Sequence, residues 1–227
     1  STLFPYTTLF RSQPLGLILV TGPTGSGKST SLYSTLKTLA NPQVNVVTLE
    51  DPIEMVVDEF NQIGVQTKIG VTFGQMLRHI LRQDPDIIMV GEMRDLETAE
   101  QAVQAALTGH IVFSTLHTND ASSALVRLLD LGLDAYLINA SVIGCIAQRL
   151  VRNICPSCRV QYTPDYAQIQ ALGLERYIAP GQKLWRGAGC ESCRQTGFYG
   201  RTGIFEVLMY DKRLRSEERR VGKECRS

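Results

Sequence analysis

Four short apolar runs, each breaking off into polar residues, set the rhythm of the first two thirds of the chain: LGLILV (15–20), VNVVTL (44–49), DIIMV (86–90) and HIVFST (110–115). Runs this short, rich in Val and Ile and polar only at their ends, predict central strands of a parallel sheet buried on both faces. Between them the spacing becomes helical. It does so over Lys28–Leu39, halted by Asn41-Pro42, over Phe73–Arg82, entered from a Thr72 cap, and over Leu96–Leu107, closed by Gly109. Strands alternating with helices imply a doubly wound α/β domain, in which ligands collect at the carboxyl ends of the strands. From about Asn153 the texture turns to Cys, Pro, Gly and Arg with sparse apolar positions. The expected division is a core over 13–152 and a smaller unit over 153–214.

The two ends fall outside this rhythm. STLFPYTTLFRS (1–12) and RSEERRVGKECR (215–226) have no hydrophobic period, yet they are related codon by codon. A TCT codon for Ser12 has the reverse complement AGA, which codes for Arg215, and the same operation runs through Phe10 and Glu217 to Ser1 and Arg226. One DNA segment read on opposite strands would flank the gene, and its translation resembles that of a common sequencing adapter. Residues 1–12 and 215–227 are therefore expected to be adapter-derived and to lie outside the fold. They hold six of the 23 basic and three of the 22 acidic residues, which leaves 17 against 19 and moves the net charge from +1 to −2. No basic stripe then points to nucleic acid. No apolar run approaches the ~20 residues of a membrane helix. With no signal peptide in view, a cytoplasmic location is the expectation.

Chemistry gathers where the apolar runs stop. After the first comes GPTGSGKST, of the phosphate-loop form G-x-x-x-x-G-K-[ST], with Gly22, Gly27, Lys28 and Ser29 on the fixed positions and Pro23, Thr24, Gly25, Ser26 and Thr30 completing the loop. Glycines let successive backbone N–H groups face a β-phosphate, the helix start adds partial positive charge, Lys28 reaches the β and γ phosphates, and Ser29 holds Mg²⁺. After the second run, TLEDPIE (48–54) brings Glu50, Asp51 and Glu54 around a turn at Pro52, and the third ends in Gly91-Glu92. Carboxylates at such strand ends hold metal-bound water or orient an attacking water, although any one of them is also what a solvated loop carries. The fourth run is bracketed by His110 and His117. His110 beside an apolar strand suits packing as well as chemistry, whereas His117, among Thr115, Thr118 and Asn119, belongs to a polar cluster suited to sensing a γ-phosphate or a neighbouring subunit.

Five cysteines remain once Cys225 is set aside, four of them in CPSC (155–158) and CESC (190–193). Two C-x-x-C pairs separated by 31 residues, Cys155 with Cys158 and Cys190 with Cys193, offer four thiolates for a structural tetrahedral Zn²⁺. A disulfide framework is disfavoured in the cytoplasm, and a redox role would need a single pair. Cys145, in VIGCIAQ, reads as a small buried helix residue.

Taken in order, GPTGSGKST, TLEDPIE, LRQDPDIIMVGEMRD, GHIVFSTLHTNDA and AQRLVR resemble the ATPases of type II secretion and type IV pilus assembly, across essentially all of Gln13–Leu214. In that family these are the Walker A motif, Asp box, Walker B motif, His box and following helix. The resemblance implies an α/β, RecA-like P-loop NTPase domain with a small tetracysteine appendage, ATP with Mg²⁺ as its nucleotide, Zn²⁺ in the cysteines and a homo-hexameric ring. It implies an assembly motor that extracts pilin-like subunits from the inner membrane, working with an inner-membrane platform protein and other secretion or pilus components, and peripheral to the membrane through them. Glu92 stands on the Walker B glutamate, and Glu50 and Glu54 on the Asp box acids, with Glu54 favoured as the water-orienting one. His110 and His117 match the His box. The tetracysteine element followed by TGFYGRTGIFEVL resembles the extension branch, since the retraction branch lacks it.

Two other readings stand beside this one: a small-molecule P-loop kinase and a non-enzymatic zinc-ribbon nucleic-acid module. Family members carry an amino-terminal domain that supplies arginines to the nucleotide, whereas the first apolar run here begins two residues after Gln13. Arginine fingers are thus expected from Arg78, Arg82, Arg94 or Arg149, or not at all. Their loss costs about 10³ to 10⁵ in rate, so the chain is expected to bind Mg²⁺ and ATP and hydrolyse slowly.

Overall fold

A computed structural model describes residues 15–66 and 69–210, so both stretches read as adapter-derived, 1–12 and 215–227, lie outside the described residues. The chain divides into two compact units, one reaching Arg149 and resuming at Phe205, the other formed by Leu150–Ile204.

The first unit is built on a sheet of β1 (Gly16–Thr21), β2 (Val46–Glu50), β3 (Asn61–Gly64), β4 (Ile87–Val90), β5 (Ile111–Leu116), and two longer strands that also enter the second unit, β6 (Val142–Ile154) and the last, Phe198–Met209. Their order across the sheet is β3-β2-β4-β5-β1-β6, followed by the last strand. Each pairing among the first six is parallel. Every residue of β1, β2 and β4 is buried, as continuous apolar runs require of central strands.

The two-residue period of a strand sorts side chains onto two faces. Leu17, Leu19, Leu49, Ile88 and Val90 join one core, and Ile18, Val20, Val46, Ile87 and Met89 the other. Helix α1 (Lys28–Leu39) covers the second with Leu32, Tyr33 and Leu36. On the first face lie α2 (Phe73–Ile80), α3 (Leu96–Leu107), α4 (Ala121–Asp130) and α5 (Ala135–Ser141). In α3 the fully buried Ala99, Ala102, Ala105 and Ala106 let the helix lie close to the sheet. Caps fix where three helices start: Thr72 and Gln75 form a reciprocal capping box, and Asp95 and Asp120 accept from the amides of Thr98 and Ser123.

The expected strands and helices appear within one or two residues of their forecast positions, with three corrections. Helix α2 ends at Ile80 rather than Arg82, because the chain turns through Asp84 at φ 46 before Pro85. AQRLVR is not a helix but lies inside β6. Cys145, in the same strand, is buried as expected but not helical. Strand β6 pairs with β1 from Val142 to Ala147 and with the last strand on its other side, and this pairing overrides the helix-forming character of Ala, Gln, Leu and Arg.

In the second unit β7 (Arg159–Tyr162) and β8 (Leu184–Gly187) form an antiparallel ribbon, with α6 (Tyr166–Ala171) between them and a 3₁₀ turn at Glu191–Cys193. The strand Phe198–Met209 is β9. Only Cys155, Ile169, Cys193 and Gly197 are buried in this unit.

Candidate nucleotide site and cysteine cluster

Strand β1 delivers the chain to the glycine loop. Thr21 closes it, accepting from the Thr118 amide at 2.8 Å and donating to the Leu116 carbonyl at 3.1 Å. This ties the end of β1 to the end of β5. Gly22 follows at φ 147, where a Cβ would sit 2.3 Å from the Gln148 carbonyl oxygen and 2.7 Å from Ser26 Oγ, so no side chain fits. Gly27, left-handed at φ 85, is the N-cap of α1 and provides no side-chain cap, leaving the helix's first amides directed out of its end. Lys28 Nζ folds back to the carbonyls of Gly22 at 2.7 Å and Pro23 at 3.2 Å. The Ser26 hydroxyl is buried without a hydrogen-bond partner among the described residues. An uncapped helix start, an ammonium held over the loop and an orphan hydroxyl together suit a polyphosphate.

Two carboxylates act on that lysine from other strand ends. Burial pushes the Lys28 ammonium below its usual range, and the charges of Glu92 and Glu54 oppose that shift. Glu92, just past β4, is clasped by Arg94, whose Nη2 lies 2.7 Å from Oε2, and by His117, whose Nε2 lies 3.3 Å from Oε1. That contact holds Arg94 above its ordinary range. Gly91 lets β4 end close against β2, with its amide donating to Leu49 O at 2.8 Å, and Thr115 donates to Gly91 O at 2.6 Å. Glu54 is exposed in the loop between β2 and β3.

Other expected residues stand elsewhere. Glu50 is 5% exposed and turned away from solvent, accepting from Tyr33 Oη, from Thr48 at 2.7 Å and from Gln62 at 3.2 Å. Its carboxylate is thus held by three side chains. His110 lies before β5, at the amino end of the strands, where its carbonyl accepts from Gly16 and its Nδ1 donates to Ala105 O at 2.9 Å. A histidine one residue ahead of a parallel strand is a strand's length from the glycine loop, so His110 and His117 are not brought together. Of the candidate arginines, Arg78 pairs with Glu97 at 2.9 Å, Arg94 with Glu92, and Arg149 donates to Asn119 O at 2.9 Å, while Arg82 is exposed beyond α2. Tyr33, Gln62 and Gln148 carry contacts that the linear motifs do not announce. Only Tyr33, on the buried face of the helix after the glycine loop, had a periodicity that could have marked it.

The four cysteines of the second unit converge, their Sγ atoms all within 4.8 Å of one another. Cys155 and Cys190 are 3.9 Å apart, Cys158 and Cys193 3.9 Å, and Cys190 and Cys193 3.7 Å. Tetrahedral Zn–S bonds of about 2.3 Å put sulfurs about 3.8 Å apart, so the set fits zinc. Burial acts to raise the Cys193 thiol, but amides of Cys190 and Gly197 outweigh it and bring it down to about 6. Burial and the neighbouring thiols push Cys158 up to about 11. Cys145 is pushed up to about 12 by burial alone and takes no part.

A parallel sheet in this order, with a glycine loop and lysine between β1 and α1, is the RecA-like P-loop NTPase fold, here carrying a tetracysteine unit. The chain belongs to the type II/IV secretion system protein family, whose model matches residues 7–225. It is 55% identical over 200 residues to the type IV pilus assembly ATPase TfpB of Acinetobacter baylyi, covering 88% of this chain and 34% of that protein. It is 51% identical over 203 residues to type II secretion system protein E of Aeromonas hydrophila, covering 89% of this chain and 40% of that one. The chain thus spans between a third and two fifths of these relatives' lengths. Among solved structures, the pilus retraction motor PilT with bound ADP matches at TM-score 0.67 and 32% identity, over 96% of this chain and 55% of that one. Among the described residues, no helix is long and apolar enough to cross a membrane.

Proposed function

We propose that the chain is the ATP-hydrolysing part of a motor for type II secretion or type IV pilus assembly. The observation that carries this is the convergence on Lys28: a glycine loop closed under its ammonium, with Glu54 and Glu92 acting on it from two neighbouring strand ends. The loop from Gly22 to Thr30 would hold the phosphates of ATP on its amides, with Lys28 shared between the β and γ groups. Ser29 would hold Mg²⁺, which when bound neutralises charge developing on the transferring phosphoryl group. Glu54 orients the attacking water, and Glu92, steadied by Arg94 and His117, serves the Mg²⁺ side. Zn²⁺ in Cys155, Cys158, Cys190 and Cys193 orders the second unit.

The choice of assembly over retraction rests on the tetracysteine unit and on the names of the two relatives above that are 55% and 51% identical, a pilus assembly ATPase and a type II secretion protein. In this reading the working form is a hexamer at the cytoplasmic face of the inner membrane, held there through a platform protein and other assembly components. Slow turnover is expected, because Arg78 and Arg94 are already paired with glutamates of their own chain. Phosphate release from ATP, measured with and without Mg²⁺ in the native chain and in Lys28→Ala, tests the reading. Mg²⁺-dependent release that disappears in Lys28→Ala supports it, whereas equal release by both proteins, or phosphate transfer to a small-molecule acceptor, overturns it.

A further inference from the structure

The strand that the sequence does not announce, β3, carries a residue whose contacts converge on the catalytic loop. The Gln62 carboxamide lies within hydrogen-bond distance of four groups, three of which share the two Nε2 hydrogens. Its Oε1 accepts from the Val57 amide at 2.7 Å, and its Nε2 donates to the Met55 carbonyl at 3.0 Å, both in the backbone of the loop that carries Glu54. The same Nε2 lies 3.2 Å from Glu50 Oε1 and 3.2 Å from Tyr33 Oη, both in the protein interior. Tyr33 in turn donates to Glu50, and its ring stacks on Phe60 at 6.3 Å and 12°, gripping the far end of the loop. Burial and the Glu50 contact together hold the Tyr33 hydroxyl above the ordinary phenol range.

We infer that Gln62 is a positioning residue, which fastens the Glu54 loop to the buried Tyr33–Glu50 pair and so sets where the Glu54 carboxylate stands relative to Lys28. Each end of the carboxamide is needed. A carboxylate at this position would accept from Val57 but would meet Glu50 with like charge and the Met55 carbonyl acceptor to acceptor, and a methionine of similar length would make none of these contacts. This explains what the buried Glu50 does: it is the fixed acceptor from which the loop is hung, two residues beyond Thr48 on β2. The inference rests on the reading of Glu54 as the residue that orients the attacking water.

The test is Gln62→Met, alone and combined with Glu54→Gln, in the full chain. If Gln62 acts through Glu54, nucleotide affinity stays within about twofold of the native value, whereas turnover falls by about 10- to 100-fold, the scale of a misplaced catalytic group. Adding Gln62→Met to Glu54→Gln then costs no more than about twofold further. Amide exchange in residues 53–58 rises, while β1 and β4 keep their protection. Losses that multiply in the double variant, affinity falling in step with turnover, or unchanged exchange at 53–58 would each overturn the inference. If the native chain releases no phosphate from ATP, the proposed function fails, and the exchange comparison alone decides whether Gln62 braces the loop.

Discussion

Stripping metal from the four-cysteine site should unfold Leu150–Ile204 and leave the nucleotide unit standing. The second unit has little else to order it, since apart from Gly197 and two of the cysteines themselves only Ile169 is buried there. Burying one such side chain contributes about 1.5–3 kcal/mol, while ordering the backbone of a single residue costs about 1–2 kcal/mol. A structural zinc contributes about 10–16 kcal/mol of apparent binding free energy, so the metal outweighs the apolar contribution several-fold. The first unit has the opposite balance, with two extensive cores and, among the described residues, no cluster of cysteine ligands. Hydrogen exchange before and after chelation, with released metal titrated by a colorimetric indicator, reads both units at once. Amides between Cys155 and Phe198 should lose protection while those of β1, β4 and β5 keep theirs, and one zinc should appear per chain. Retained protection after complete metal removal, or no metal in a protein that nevertheless protects these amides, would refute the reasoning.

Three further outcomes are expected. Gly22→Ala, which forces a side chain into a left-handed backbone 2.3 Å from the Gln148 carbonyl, should abolish tight nucleotide binding, checked by fluorescent-nucleotide titration; binding within a factor of a few of native would count against the loop geometry. His117→Ala should slow ATP turnover because it releases Glu92, whereas His110→Ala, at the other end of β5, should leave turnover within about twofold; steady-state kinetics of the pair separates the two histidines. Phe113→Ala, at a position 1% exposed in the centre of the sheet, should cost about 3–5 kcal/mol in denaturant unfolding.

The parts of the fold legible in the sequence are those where burial leaves one signature. Strands β1, β2, β4 and β5 stand out as short apolar runs, polar only toward their ends, because both faces of the sheet are covered, and Thr72 marks the start of α2 by side-chain chemistry that acts within four residues. Strand β3, Asn-Gln-Ile-Gly, is a half-exposed edge with no such signature, and its existence depends on pairing with β2. Strand β6 reads as helix because its pairing partners lie far away in sequence. The same limit applies to the site. The linear order of motifs places Lys28, Glu54, Glu92 and His117 near one end of the sheet, since each follows a parallel strand. His110 precedes its strand, and a motif name does not distinguish the two ends. The inward turn of Glu50 depends on Tyr33 and Gln62, which no spacing connects to it.

Single-turnover hydrolysis of ATP by Glu92→Gln and Glu54→Gln, each beside the native chain and with nucleotide affinity measured in parallel, tests the central claim most directly. The account expects both variants to bind ATP within about twofold of native and to lose at least about 100-fold in the hydrolysis step, the scale of removing a group aimed at the transition state. Hydrolysis at native rate in both variants would contradict it, because the carboxylates converging on Lys28 would then have no part in the chemistry.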